Sequence, residues 1–240
     1  MGGHEQTPAS LNRGTATAAQ CLICCSLARR LLFKQLSNSQ TVMGSEHHLA
    51  EPKRMEMDEH IQGILWTEKE IADRVAELGS DISKDFQDCS PPLVIIGVAT
   101  GAFLFLADIV RKITLPVMVD FIKVSSYGSG MESNGSPQIC NDVKIDIKDK
   151  HVIVIEDIVD TGHTLSCLIS HLEEKGASSV SVCTLLDKPA RRTVVMKIHR
   201  GKFYRGFECP DNFVVGYGMD YAELYRNLPY IGILKPEIYE

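Results

Sequence analysis

Nowhere does the 240-residue chain carry an apolar run near the roughly 18 residues a membrane-crossing helix requires. It also lacks a basic excess. With 25 Lys and Arg against 31 Asp and Glu the net charge is −6, which argues against a general nucleic-acid binder. Its eight cysteines show no disulfide framework: Cys140, Cys167, Cys183 and Cys209 stand singly or inside apolar runs, as reduced intracellular thiols do. Cys21, Cys24 and Cys25 have C-x-x-C spacing, but no second Cys/His pair follows at zinc-finger distance. What is present, 44% hydrophobic and 23% charged residues, is the composition of a soluble globular protein able to bury a core.

Acidic residues are missing from Gln6 to Ser45, while Arg13, Arg29, Arg30 and Lys34 lie among Ser, Thr and Ala. That texture is the one an organellar transit peptide shows. A secretory signal is disfavoured, because the apolar stretch from Cys21 to Leu32 has no basic start and is broken by Arg29-Arg30. The alternatives are a disordered leader, or upstream sequence ahead of a start at Met55 or Met57. Each divides the chain into a leader, residues 1–57, and a folded domain, residues 58–240. The expected location is cytoplasmic, or a mitochondrion or plastid if the leader acts as a transit peptide.

After Met57 the pattern is regular. Thr67 with Glu70 is a capping box, and Ile71, Val75, Leu78, Ile82 and Phe86 recur at helical spacing, predicting a helix over 67–87 stopped by Pro91-Pro92. Strands are expected at 93–101, 117–124, 151–157, 179–186 and 212–217, and helices at 102–113 and from Leu165 to Gly176. The Gly/Ser/Asn stretch 125–138 reads as a long mobile loop. Such alternation implies βαβ units, an α/β fold with a mainly parallel sheet flanked by helices, and ligands at the carboxyl ends of the strands.

One such end carries "VIVIEDIVDTGHT", residues 152–164. Four aliphatics are followed by Glu156 and Asp157, placed where the strand should leave the core, and then by Asp160. Thr161, Gly162, His163 and Thr164 form a turn into a helix, where successive backbone N–H groups and the helix dipole favour a phosphate. Three carboxylates beside an anion site suit a sugar phosphate. The turn takes the phosphate, and Glu156 and Asp157 take the ribose diol directly or through magnesium.

This stretch resembles the phosphoribosyl-pyrophosphate (PRPP) signature of the type I phosphoribosyltransferases. "VATG" (98–101), "SSYGSG" (125–130), "LLDK" (185–188) and "FECPDNFVVGYGMDYAELYRNLPYIG" (207–232) are similar, in order and spacing, to the hypoxanthine-guanine phosphoribosyltransferases. "ILWTEKEI" (64–71) fits as well, and the whole looks closest to the plant branch. The resemblance covers residues 58–240. It implies the type I phosphoribosyltransferase fold with a small hood subdomain, Mg2+ as cofactor, PRPP and 6-oxopurines as substrates, and a homodimer or homotetramer.

Roles follow by the same resemblance. Thr161 to Thr164 bind the 5′-phosphate, and Thr100 and Gly101 meet the pyrophosphate largely through backbone. Glu156 and Asp157 hold the ribose and, with Asp220, the metal. Asp160 is the acid/base at purine N7, and Arg226 reaches the pyrophosphate. Lys188 donates to the purine O6, Phe213 stacks on the base, and the Val214 backbone meets its edge. Ser126 and Tyr127 belong to a lid that shuts out water. Thr100 and His163 stand where the family often has lysine. A cation facing O6 disfavours adenine, whose amino group would meet it donor to donor. A regulatory protein of this fold that binds PRPP or a nucleotide to control nucleic-acid binding would need a basic face or an added DNA-binding segment, and this acidic chain shows neither. Xanthine differs only at C2, and the sequence does not separate it.

Overall fold

The computed structural model describes residues 54–90, 92–125 and 137–240. The leader up to residue 53 and the lid residues Ser126 and Tyr127 lie outside them.

Helix α1 (Arg54–Glu59) leads into strand β1 (Ile61–Trp66). The capping box then forms as expected: the Thr67 N–H donates to Glu70 Oε2 (2.9 Å), and the Glu70 N–H donates to Thr67 Oγ1 (3.3 Å). Helix α2 (Glu68–Asp85) starts there. It closes at Asp85, ahead of the prolines, where the Phe86 N–H donates to the Ile82 carbonyl (3.1 Å).

The central sheet has the order β4-β3-β2-β5-β6-β7. Strands β2 (Leu93–Ala99), β3 (Val117–Ser125), β5 (His151–Val159), β6 (Ser179–Asp187) and β7 (Phe203–Glu208) run parallel. Strand β4 (Gln138–Asn141) is antiparallel at one edge. Helix α3 (Phe103–Val110) follows β2, and α4 (His163–Glu174) follows β5. The interior strand β5 is covered on both faces. Ile153 and Ile155 pack with Ile71, Val75, Leu78 and Ile82 of α2 and with Phe105 and Ile109 of α3. Val152 and Val154 point the other way, onto Leu165, Leu168, Ile169 and Leu172 of α4. A strand buried on both sides reads as an unbroken apolar run, and this one does.

Strands β1, β8 (Val214–Val215) and β9 (Ile231–Leu234) form a separate antiparallel sheet, in the order β1-β9-β8. It is closed by a short helix α5 (Pro236–Tyr239) and built around Val215, Tyr225, Leu228 and Leu234. This is the hood.

Three expectations change. The stretch 212–217 gives only two strand residues, and they join the hood. Positive φ angles at Gly216 (100°), Tyr217 (48°) and Gly218 (102°) turn the chain there. The parallel edge strand β7, with Arg205 and Gly206 inside it, replaces the expected one. The ends of the 125–138 stretch are strand: Ser125 closes β3 and Gln138 opens β4.

Candidate active site

Strand β5 does not stop at its acids. It runs on to Val159, so Glu156 and Asp157 sit within the strand, and Glu156 is only 9% exposed. This corrects the expectation that both emerge where the strand leaves the core. The pairing with β6 explains it: Glu156 stands opposite Thr184, and Ile158 opposite Leu186. The sheet continues past the acids and holds them.

Burial, the Asp157 charge and a shared hydrogen bond push Glu156 well above the usual carboxyl range. Burial likewise raises Asp157 to about 6, even though two backbone N–H groups and Arg226 oppose the rise. Glu156 Oε2 is buried with no hydrogen-bond partner among the described residues. A buried acid pair of this kind is costly without a cation or donor to face it.

Asp157 lies against the end of β2. The Ala99–Thr100 peptide is cis, and Gly101 leaves room that Asp157 fills: a Cβ there would stand 1.8 Å from Asp157 Oδ2. Gly218 closes on the same point, since a Cβ on it would fall 2.1 Å from the Gly101 carbonyl oxygen. Arg226 ties that loop down, with Nη1 donating to the Gly218 carbonyl (2.8 Å) and Nη2 pairing with Asp220 Oδ1 (2.8 Å) and Glu223 Oε2 (2.9 Å). The predicted residues Thr100, Gly101, Asp157, Asp220 and Arg226 thus come from three distant segments to one place.

The turn after β5 has Gly162 at φ 90°, just before α4. A second segment braces it from behind. The Thr193 and Val194 N–H groups both donate to the Thr161 carbonyl (3.1 Å each), and Arg192 Nε donates to the Asp160 carbonyl (3.1 Å). Arg192 is paired in turn with the buried Asp187, to which Arg205 also reaches at 3.6 Å. His163 Nε2 lies 3.3 Å from Thr193 Oγ1. The first N–H groups of α4 have no partner within the helix and no side-chain cap, an arrangement that suits an anion.

Beyond the acids opens a cavity of about 480 Å³, lined in part by Asp157, Asp160, Lys188, Phe213, Val214 and Asp220. Lys188 is buried, its Nζ 3.7 Å from Asp211 Oδ1, and its backbone N–H donates to the Val159 carbonyl (2.9 Å). Asp160 faces Arg191 Nε at 3.5 Å, and its Oδ1 has no hydrogen-bond partner among the described residues. A cation, a carboxylate with a free lone pair, an aromatic ring and a strand-edge backbone (Val214) therefore share one wall. That set suits a flat, hydrogen-bonding heterocycle.

Sequence reasoning overlooked Asp187, Arg191, Arg192, Asp211 and Tyr239. Of these, Asp187 was in view as the acid of "LLDK"; the pairing with Arg192 has no periodic signal to mark it.

An acid pair held within a strand, a glycine turn opening a helix and an adjoining cavity lined by a lysine, a carboxylate and an aromatic ring match the parts of a transferase that works on an activated sugar phosphate. The phosphoribosyl transferase domain family matches residues 63–222, and the chain belongs to that family. Within it, the chain is 47% identical over 177 residues to the hypoxanthine phosphoribosyltransferase of Haemophilus influenzae, covering 73% of this chain and 97% of that one. It is 44% identical over 184 residues to the hypoxanthine-guanine phosphoribosyltransferase of Bacillus subtilis, covering 77% and 99%. The crystal structure of a Staphylococcus aureus hypoxanthine phosphoribosyltransferase superposes with a TM-score of 0.70 at 42% identity, covering 79% of this chain and 100% of that one.

Proposed function

We propose that the chain transfers the 5-phosphoribosyl group from PRPP to hypoxanthine and guanine, giving IMP or GMP and pyrophosphate, a purine-salvage reaction. The observation that carries it is the single cavity in which Asp157 and Asp220, on the sugar side, meet Asp160, Lys188, Phe213 and Val214 on the base side.

In this reading the turn from Thr161 to Thr164 takes the 5′-phosphate, and the ends of Thr100 and Gly101 with Arg226 take the pyrophosphate. The C1′–O bond to pyrophosphate breaks and purine N9 forms the new bond to C1′. Asp160 manages the proton at N7 as N9 becomes nucleophilic. Lys188 donates to O6, and Phe213 holds the ring plane. The lid with Ser126 and Tyr127 would exclude water that could hydrolyse PRPP.

Magnesium fits the donors present, though not as an all-protein cage. Among the described residues no group of three or more His, Cys, Asp or Glu is set to hold a metal. The partnerless Glu156 oxygen and the raised Asp157 are what a cation would satisfy. Mg2+ keeps several waters and is usually held by one or two carboxylates plus substrate phosphates, so Glu156, Asp157 and Asp220 suffice. Bound there, it would neutralise charge on the departing pyrophosphate.

Residues 58–240 make up the catalytic domain in this proposal, with residues 1–57 a leader. No helix among the described residues is long and apolar enough to cross a membrane, and we place the enzyme in the cytoplasm. Val119 and Phe121, exposed on one side of β3, support a homodimer or homotetramer. The deciding experiment supplies the protein with PRPP, magnesium and each purine base and measures nucleotide and pyrophosphate. Asp160→Asn should lower IMP synthesis by about 100-fold or more; full activity in that variant would end the proposal. A reporter fusion of residues 1–57 checks the location.

A further inference from the structure

Phe213 has one face already taken. Its ring is stacked on Tyr239, with centroids 4.7 Å apart and planes at 21°, and meets the edge of Tyr221 at 5.7 Å. Phe213 nevertheless stays 38% exposed, and both it and Tyr239 line the cavity. The stacked pair therefore borders the cavity with part of the Phe213 ring still open.

Tyr239 ends the four-residue helix α5, too short to hold itself in place. The chain just ahead anchors it. The Lys235 N–H donates to the His60 carbonyl (3.0 Å), Lys235 Nζ donates to the Glu59 carbonyl (2.6 Å), and the Leu234 N–H donates to the Phe213 carbonyl (2.9 Å). Ile238 and Tyr239 pack against the hood core of Val215, Tyr225, Leu228 and Leu234. Both partners of the stacked pair are thus fixed to β9, Phe213 through its carbonyl and Tyr239 through the short helix. Tyr221 packs edge-on against Tyr239 as well, at 6.5 Å, so the three rings form one cluster.

We propose that Tyr239 is a positioning residue for the purine: stacked behind Phe213, it fixes the plane on which the base lies, so the last helix sets base affinity. This rests on the reading of the cavity as the base site. The ring contacts of Tyr239 are with Phe213 and Tyr221, so its influence is expected on the base rather than on PRPP.

The test compares the full chain with Tyr239→Ala, Tyr239→Phe and Phe213→Ala, measuring KM for hypoxanthine, KM for PRPP, kcat and Tm. Tyr239→Ala should raise the hypoxanthine KM about threefold to tenfold, with the PRPP KM near the parent value and a modest fall in Tm from the lost ring pair. Tyr239→Phe should restore it, because the ring does the stacking. An unchanged hypoxanthine KM in Tyr239→Ala, beside a raised one in Phe213→Ala, would overturn the inference and leave the proposed function standing. Equal rises in both KM values with a lowered Tm would also overturn it, as general loosening. If Phe213→Ala itself leaves the hypoxanthine KM intact, the base-site placement falls and takes this inference with it. A parent that makes no IMP defeats the function instead.

Discussion

The carboxylate of Asp157 occupies the space that a side chain on Gly101 would need, the distance from a Cβ there to Oδ2 being 1.8 Å. One strand end is shaped by the acid of its neighbour. Gly101→Ala must therefore displace either Asp157 or the β2 turn. Because misplacing a reacting group by about 1 Å can cost on the order of 100-fold, kcat/KM for IMP synthesis should fall by that much. Far-UV circular dichroism should stay the same. Near-parent activity in the variant would mean that Asp157 is not held in a demanding position.

Lys188 gives the second expectation. Lys188 is buried and lines the cavity, with its ammonium 3.7 Å from Asp211 Oδ1. In the parent, AMP formation from adenine should be slower than IMP formation by about 10- to 100-fold or more, since an unpaired buried donor costs roughly 1–3 kcal/mol per group. Lys188→Ala should lower the IMP rate and narrow that ratio. A ratio unchanged by the substitution would remove Lys188 from base selection.

The pH dependence of stability follows from Asp157. Its carboxyl is raised from 3.8 to about 6, first by burial. The folded state therefore holds this proton more tightly than the unfolded chain, and folding loses stability as pH climbs from about 4 through 6. Asp157→Asn abolishes that loss. In magnesium-free urea titrations the variant should be more stable near pH 8 by up to about 3 kcal/mol, less what water in the cavity screens. The gain should vanish near pH 4; an equal gain at both ends would contradict the burial argument.

Arg192 links the buried Asp187 to the Asp160 carbonyl, so Arg192→Ala slackens the turn after β5, the proposed phosphate site. The PRPP KM should rise about tenfold, with a smaller change for hypoxanthine and a lower Tm, as losing charge-assisted hydrogen bonds of roughly 1.5–3 kcal/mol implies. Arg192→Lys should recover little, since one ammonium cannot bridge both partners. Steady-state kinetics with each substrate varied in turn settles this.

The parts of this fold that the sequence disclosed are those where one physical demand dominates. Strand β5 is buried on both faces and so writes itself as Val-Ile-Val-Ile; the capping box at Thr67 and Glu70 is local and was placed to the residue. The edge strand β7 escaped notice because Arg205 and Gly206 blur its alternation. Residues 212–217 misled because an aliphatic pair says nothing about which sheet it joins, and the left-handed backbone from Gly216 to Gly218 decides that. In the site, contiguous motifs exposed Glu156, Asp157, Asp160 and the turn. Lys188, Phe213, Asp220 and Arg226 came into view only through family resemblance. Tyr239 and the Asp187–Arg192 pair meet their partners through tertiary contact alone, and no spacing rule registers such neighbours.

Strand β1 precedes the central sheet in the chain, yet its hydrogen-bonded neighbour is β9, more than 160 residues later. During synthesis the central sheet can assemble while β1 waits for its partner β9. The small sheet closes only when Ile231–Leu234 and the aromatic stacked on Phe213 have left the ribosome, so on the proposed reading an unfinished chain would hold the donor without being able to use it.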